Sequence, residues 1–235
     1  MKSKSYLKIS RTWSFDEKVS KVFDSHVNQS IPLYKEFHEQ IANIAEFYCK
    51  DHSVIYDLGC STGNFIKEIS KIKKKTLNIT GIDDSKKMIE LCKLKTNKIK
   101  KNKITLKCGD MFKLKFKKSD LIVCSLVLPF FTRPKQIQLI KKIYKSLNTD
   151  GAAIFLNKSI SKHSHFENIF NQLYSDFKLS RGILPSDVLK KTQSLRSAHT
   201  INTTEDDLKY FKNIGFKKIE IFFKYLNFTG FLVEK

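Results

Sequence analysis

The chain has 235 residues, 41% of them hydrophobic and 19 of them Phe, enough apolar material for one domain with a sizeable core and too much for a disordered binder. Its formal charge is +21, but only four of the 44 basic residues are Arg (Arg11, Arg133, Arg181 and Arg196); lysines on every helix face make a solvated surface, so salt-sensitive attraction to polyanions is expected and direct nucleic-acid binding is not. No apolar stretch reaches the length of a membrane span and the start M-K-S-K-S-Y-L-K lacks a signal-like segment, so no membrane association and a cytoplasmic location are expected.

Residues 1–50 read as a helical cover. Val19, Val22, Phe23 and Val27 recur at helical spacing, and Ser14 before F-D-E is a plausible cap. Ser30-Ile31-Pro32 then stiffens the approach to a second helix that carries Tyr34. From 53 to 157 strand and helix alternate: strand 53–57, helix 63–73, strand 77–82, helix 86–98, strands 104–108 and 120–125, helix 134–147 and strand 152–157. Such alternation predicts a parallel sheet with helices on both faces. N-T-D-G at 148–151 reads as a helix stop and a turn. Residues 158–200 break the rhythm with a polar, mostly helical insertion around Phe166 to Phe177, after which helix 204–213 and strands 217–223 and 226–233 follow. The short turn between the last two strands makes them antiparallel. Residues 1–235 therefore form a single α/β domain.

The chemistry sits at the strand ends. V-I-Y-D-L-G-C-S-T-G delivers Asp57 to the end of a strand, and Gly59, Cys60, Ser61 and Gly63 form a tight turn. I-T-G-I-D ends in Asp83, followed by Asp84, placed to hold both hydroxyls of a ribose, with Met88 on the next helix set against a base. I-T-L-K-C-G-D-M adds Asp110 and Met111, and Ser125 ends the fourth strand. Each acid taken singly is equally readable as a helix N-cap, as are Asp84 and Ser85. Ser61 stands where a dinucleotide fingerprint has its middle glycine, and a carboxylate beside the turn repels a phosphate but suits a cationic amino-acid group. Five cysteines without a C-x-x-C pair exclude a disulfide framework and a zinc site. Cys49 and Cys92 on helices and Cys108 and Cys124 on strands read as small buried hydrophobes, Cys60 as a packing residue of the turn. No metal site is expected and no catalytic base stands out; His26, His163 and His165 are candidates if a proton has to leave, against a plain structural reading of each.

D-L-G-C-S-T-G resembles motif I of the class I S-adenosylmethionine (AdoMet) methyltransferases, D/E-x-G-x-G-x-G. That resemblance implies a Rossmann-like, seven-stranded sheet with an antiparallel last strand, a helical cover, and an insertion after strand five that contacts substrate. W-S-F-D-E-K-V-S-K-V-F, S-I-P-L-Y, Y-D-L-G-C-S, I-D-D-S-K-K-M-I-E-L-C, G-D-M, K-I-Y-K-S-L-N-T-D-G, D-F-K, K-N-I-G-F and L-N-F-T-G together resemble the carboxy-S-adenosylmethionine synthases from Trp13 to about Val233. Those enzymes place carbon dioxide from prephenate on the AdoMet methyl carbon, for tRNA wobble-uridine modification, and are homodimers joined through the insertion. The resemblance puts AdoMet or its carboxylated derivative on Tyr34, the Gly59–Cys60–Ser61 turn, Asp83, Asp84, Asp110 and Met111. Two positions depart from it: the strand-four asparagine is Ser125, and the arginine of the insertion is Thr192, with Lys190, Lys191 and Arg196 nearby. A synthase needs a fixed cation for its dianionic substrate, so Thr192 favours methyl transfer to a small-molecule acceptor, with carboxy-AdoMet synthesis the alternative. L-P-F-F after strand four lacks the N/D-P-P-Y/F pattern of base methyltransferases. A noncatalytic AdoMet-binding partner is the third reading, disfavoured by the intact set of acids. Trp13 and Phe15 read as lid packing.

Overall fold

The computed structural model describes residues 17–195 and 198–235, with side chains from residue 23 onward, so Trp13, Ser14, Phe15 and Arg196 lie outside what is described, as do the side chains of Val19 and Val22. In chain order the elements are α1 (Glu17–Ser30), α2 (Tyr34–Tyr48), β1 (Val54–Leu58), α3 (Asn64–Ile69), β2 (Asn78–Asp83), α4 (Lys86–Thr96), β3 (Lys103–Cys108) and β4 (Ser119–Ser125). A 3-10 turn at Leu128–Phe130 leads to α5 (Arg133–Ser146), β5 (Leu147–Ile160), α6 (Ser164–Ser180), α7 (Pro185–Leu195), β6 (Asn202–Thr203), α8 (Thr204–Ile214), β7 (Lys218–Tyr225) and β8 (Phe228–Glu234).

The sheet runs β3-β2-β1-β4-β5-β8-β7, with β8 antiparallel between β5 and β7, and the two-residue β6 adds a parallel rung at Ser159–Ile160. This is the Rossmann-like seven-strand sheet expected, and β6 is the one addition to it. Alternate residues of each strand face opposite sides. Ile55, Ile79, Leu121, Val123, Ile154 and Leu156 join Phe37, Ile41, Phe65 and Ile66 of α2 and α3 on one face. Tyr56, Leu58, Ile82, Ile122 and Phe155 join Leu139, Ile140 and Phe211 of α5 and α8 on the other. Each such fully buried side chain contributes about 1.5–3 kcal/mol. The strand order reverses between β1 and β4, which opens a crevice at their carboxyl ends.

Three local readings are corrected. The N-T-D-G segment is not a turn after the helix: β5 begins at Leu147, directly after α5, and the left-handed residue is Asp150 (φ 63°) rather than Gly151. Space explains the glycine, since a Cβ there would meet Asn148 O at 3.0 Å and Ser119 O at 3.1 Å. Cys108 is exposed, because β3 is the edge strand, and Cys49 caps α2 rather than lying within it. The insertion holds two helices, α6 and α7. Among the described residues no helix is long and apolar enough to cross a membrane.

Candidate active site

The β1–α3 turn is fixed by the next strand. The N–H groups of Gly59 and Cys60 both donate to Ile82 O (2.8 and 3.0 Å), and Gly63 N–H donates to Cys60 O at 2.8 Å. Gly59 (φ 71°) and Gly63 (φ 84°) take conformations that disfavour a side chain. They also have no room for one: a Cβ would lie 2.3 Å from Val127 Cγ2 and 2.6 Å from Cys92 Sγ, respectively. Cys60 is buried, its thiol near Cys92.

Asp83 stands at the end of β2 with both carboxylate oxygens engaged once, Oδ2 accepting from Ser61 N–H and Oδ1 from Ser85 N–H, each at 2.9 Å. Each oxygen keeps lone-pair capacity, so a vicinal diol can still donate to the pair. Burial pushes this carboxyl up, although the two N–H bonds pull it back. The helix cap is Ser85, whose Oγ accepts from Met88 N–H at 3.4 Å, which leaves Asp83 available for a ligand. Met88 is buried, with Sδ 3.6 Å from Ser61 Oγ, so it forms one wall of the crevice.

Asp57 is buried at the end of β1, and among the described residues its carboxylate has no hydrogen-bond partner. Burial first, and the neighbouring Asp83 second, raise its pKa to about 8. A buried acid left without a donor is costly and is the feature that calls for a cation in the crevice. Tyr34, at the start of α2, lies near Asn64, and burial with Asp24 and Asp57 nearby pushes its hydroxyl well above the usual range.

A residue set that the sequence reading passed over ties the cover to the turn. Asp24 on α1 accepts from Thr62 Oγ1 (2.6 Å), Asn64 Nδ2 (3.1 Å) and Lys95 Nζ (2.6 Å). Lys95 in turn donates to Thr62 Oγ1 at 2.9 Å and Asn64 Oδ1 at 2.6 Å. Burial alone would raise Asp24, but these donors hold it below the ordinary carboxylate range. Only the D-S-H segment of an amphipathic helix signals this in the sequence.

Tyr34, Asp57, the 59–63 turn, Asp83 and Met88 thus come together. Asp84 is exposed one step outside them. Asp110 is exposed after β3, accepting from Phe112 N–H at 2.8 Å, and Met111 is buried with its carbonyl held by Lys142 Nζ at 2.7 Å. Ser125 ends β4 on the face of Leu121 and Val123, beside Leu126 at φ 57°. His163 and His165 are exposed beside Phe166, whereas His26 faces α7. Thr192 is exposed and its hydroxyl is returned to Val188 O at 2.9 Å, so it carries no charge into the site. Among the described residues no cluster of His, Cys, Asp or Glu has metal-binding geometry.

Residues 55–151 match a family described as a methyltransferase domain. The carboxy-S-adenosyl-L-methionine synthase of Staphylococcus epidermidis is 34% identical over 95% of this chain and 97% of its own length. The chain belongs to the carboxy-S-adenosyl-L-methionine synthase family. The synthase of Nautilia profundicola is also 34% identical, over 97% and 96% of the two chains. Among solved structures, the plantazolicin methyltransferase BpumL in complex with SAH superimposes with a TM-score of 0.66 at 16% identity, covering 94% and 91%. An O-methyltransferase family protein from Burkholderia thailandensis gives 0.67 at 12% identity, covering 94% of this chain and 60% of that one. At such identities the likeness shows the class I fold.

This synthase-family member is an AdoMet-dependent transferase. The residues present fit the cofactor: a glycine turn with no room for side chains, one acid whose two oxygens keep acceptor capacity for a diol, and a buried carboxylate with no donor among the described residues for a cation. AdoMet supplies an electrophilic sulfonium methyl, and the chain aligns it and excludes water.

Proposed function

We propose that this protein is a carboxy-S-adenosyl-L-methionine synthase that uses AdoMet and prephenate, acts in the cytoplasm, and supplies tRNA wobble-uridine modification. The observation that carries the reading is Asp57, a buried carboxylate without a donor at the end of β1, in a chain whose kinship with the synthases extends through cover and insertion alike. Asp57 faces the cationic amino-acid end of AdoMet, Asp83 its ribose, Met88 and Met111 its base, with Tyr34, Asp84, Asp110 and Ser125 at the margin. Carboxylation replaces a methyl C–H bond by a C–C bond to the transferred carboxyl, the proton leaving as water with the hydroxyl that prephenate loses on aromatising, whereas simple methyl transfer breaks no methyl C–H bond.

Thr192 favours a second reading, methyl transfer to a small acceptor, because it withholds a cation. Mass spectrometry decides between them. Incubation with AdoMet and prephenate yields carboxylated AdoMet if the protein is a synthase; S-adenosylhomocysteine with an added acceptor, and no carboxylated product, returns it to the methyltransferases. Phe166, Ile169 and Leu173 form an exposed apolar stripe on α6, which supports a homodimer joined through the insertion. Light scattering that finds only the 27.4 kDa monomer rejects it.

A further inference from the structure

Three lysines converge beside the site from distant parts of the chain. Lys158 lies near the carboxyl end of β5 on the sheet face of Ile154 and Leu156, the face that Asp57 and Ser125 also occupy. Lys178 comes from α6 and is only 7% exposed. Its Nζ is 4.2 Å from the centroid of the Tyr174 ring, and the Nζ of Lys158 is 5.2 Å from the same centroid. Lys191 comes from α7, with Nζ 2.6 Å from Nε2 of His26 on α1, two residues beyond the Asp24 that grips the cofactor turn. His199 adds a buried Nε2 with no hydrogen-bond partner among the described residues, its ring 4.5 Å from that of Phe130.

Lys158 and Lys178 lack a counter-ion among the described residues. Glu167 is the acid that Lys158 feels, and its oxygens already accept from Ser161 N–H at 2.6 Å and Asn171 Nδ2 at 2.8 Å. Among the described residues, neither Lys158 nor Lys178 donates a hydrogen bond or meets a carboxylate at ion-pair distance. Burying ammonium groups together in this way opposes folding unless an anion joins them.

We propose that Lys158, Lys178 and Lys191, with His199, form the seat for the carboxylates of the dianionic carboxyl donor, supplying from three elements the charge that Thr192 does not. The assignment rests on the synthase reading. Burial and mutual repulsion lower Lys191 to about 7 and Lys178 to about 8, and burial depresses Lys158 against the pull of Glu167. His26 and His199, lowered to about 4 by burial and the same lysines, stay neutral near pH 7, as does Tyr174, whose hydroxyl burial pushes far up. A bound dianion raises the lysines again, so its binding takes up protons from solution above about pH 7.

The test is calorimetric titration of the full chain, saturated with S-adenosylhomocysteine, with prephenate and with malonate. It is run at about pH 7.5 in two buffers of different ionisation enthalpy, on wild type, Lys178→Met, Lys191→Met and Lys190→Met. Prephenate binding weakens roughly 10- to 100-fold in the first two variants, with diminished proton uptake and unchanged AdoMet affinity. Lys190→Met, which alters an exposed lysine 4.0 Å from Asp187, behaves as wild type. Unliganded Lys178→Met melts no lower than wild type, because a buried charge has gone. Prephenate binding untouched by both substitutions, or absent from wild type, overturns the proposal. Turnover is read separately: prephenate held through the lysines without product removes the synthase reading and keeps the anion seat, whereas turnover with unaltered KM in both variants does the reverse.

Discussion

AdoMet binding should expel a proton from Asp57. With a pKa of about 8 in the unliganded fold, the carboxyl is about 90% protonated at pH 7. A cation placed against it in a low-dielectric crevice favours the ionised form, so close to one proton is released per AdoMet at pH 7 and about 0.1 at pH 9. Isothermal titration in phosphate and in Tris reports this number as the slope of apparent enthalpy against buffer ionisation enthalpy. The apparent affinity rises about tenfold per pH unit below 8 and levels off above it. The same group makes unliganded stability pH-dependent. Between about pH 4 and 8 the folded state keeps a proton that the unfolded state has lost, so stability falls as pH rises through that window. Asp57→Asn abolishes both the buffer dependence and this contribution to the slope. A wild-type protein that binds AdoMet with no buffer dependence at pH 7 would refute the assignment of Asp57 as a protonated, ligand-awaiting acid.

Gly59→Ala forces an L-residue to φ 71° and drives a Cβ to 2.3 Å from Val127 Cγ2, so denaturant unfolding should show a loss of about 2–4 kcal/mol. Adding Val127→Ala removes the clashing methyl but not the φ strain, and the double variant should recover about 1–2 kcal/mol relative to additivity. Asp83→Ala strips the acceptor from two backbone N–H groups and from the ribose, weakening AdoMet roughly 10- to 1,000-fold by titration, with adenosine weakened alike because the loss is at the nucleoside. Lys95→Met breaks the bonds to Asp24, Thr62 and Asn64; because Asp24 remains 44% exposed, thermal unfolding should register only about 0.5–1 kcal/mol, with the larger effect in faster AdoMet release measured by stopped flow.

The strand ends were legible because parallel βα units force an acid or a glycine into a fixed place: Asp57, Gly59, Gly63 and Asp83 announce themselves by position in the chain. Asp24 did not, since its partners Thr62, Asn64 and Lys95 are 38 to 71 residues away. The lysine group was hidden by abundance as well as distance. In a chain whose 44 basic residues are nearly all Lys, Lys158, Lys178 and Lys191 look like the solvated rest, and only the fold, which buries Lys178 and half-buries Lys158 and Lys191, tells them apart. Lys191 was weighed as a substitute cation on sequence nearness to Thr192, but its neighbours on β5 and α6 become visible only in the fold. Asp150 shows the opposite limit, since a D-G pair does not say which of its residues takes the left-handed turn when packing against Ser119 reserves the glycine for close approach.

The unliganded site therefore holds unfavourable charge of both signs on one face of one sheet. Among the described residues a carboxylate without a donor ends β1, and the ammonium groups of Lys158 and Lys178, without a carboxylate partner, lie toward β5, with β4 and Ser125 between them. They do not neutralise each other, because β1 holds the acid while β5, α6 and α7 hold the lysines, and the depressed lysines and raised acid each respond by approaching neutrality. Each becomes favourable only when its own ligand arrives, a cation at Asp57 and an anion at the lysines. The two bindings move protons in opposite directions, release at the acid and uptake at the lysines. Raising the pH toward 8 helps the first ligand and hinders the second, so the ternary complex is most favoured between the pKa of Lys191, about 7, and that of Asp57, about 8. Stability withheld from the empty fold is returned on binding, which places part of the cost of juxtaposing the two reactants in folding rather than in catalysis.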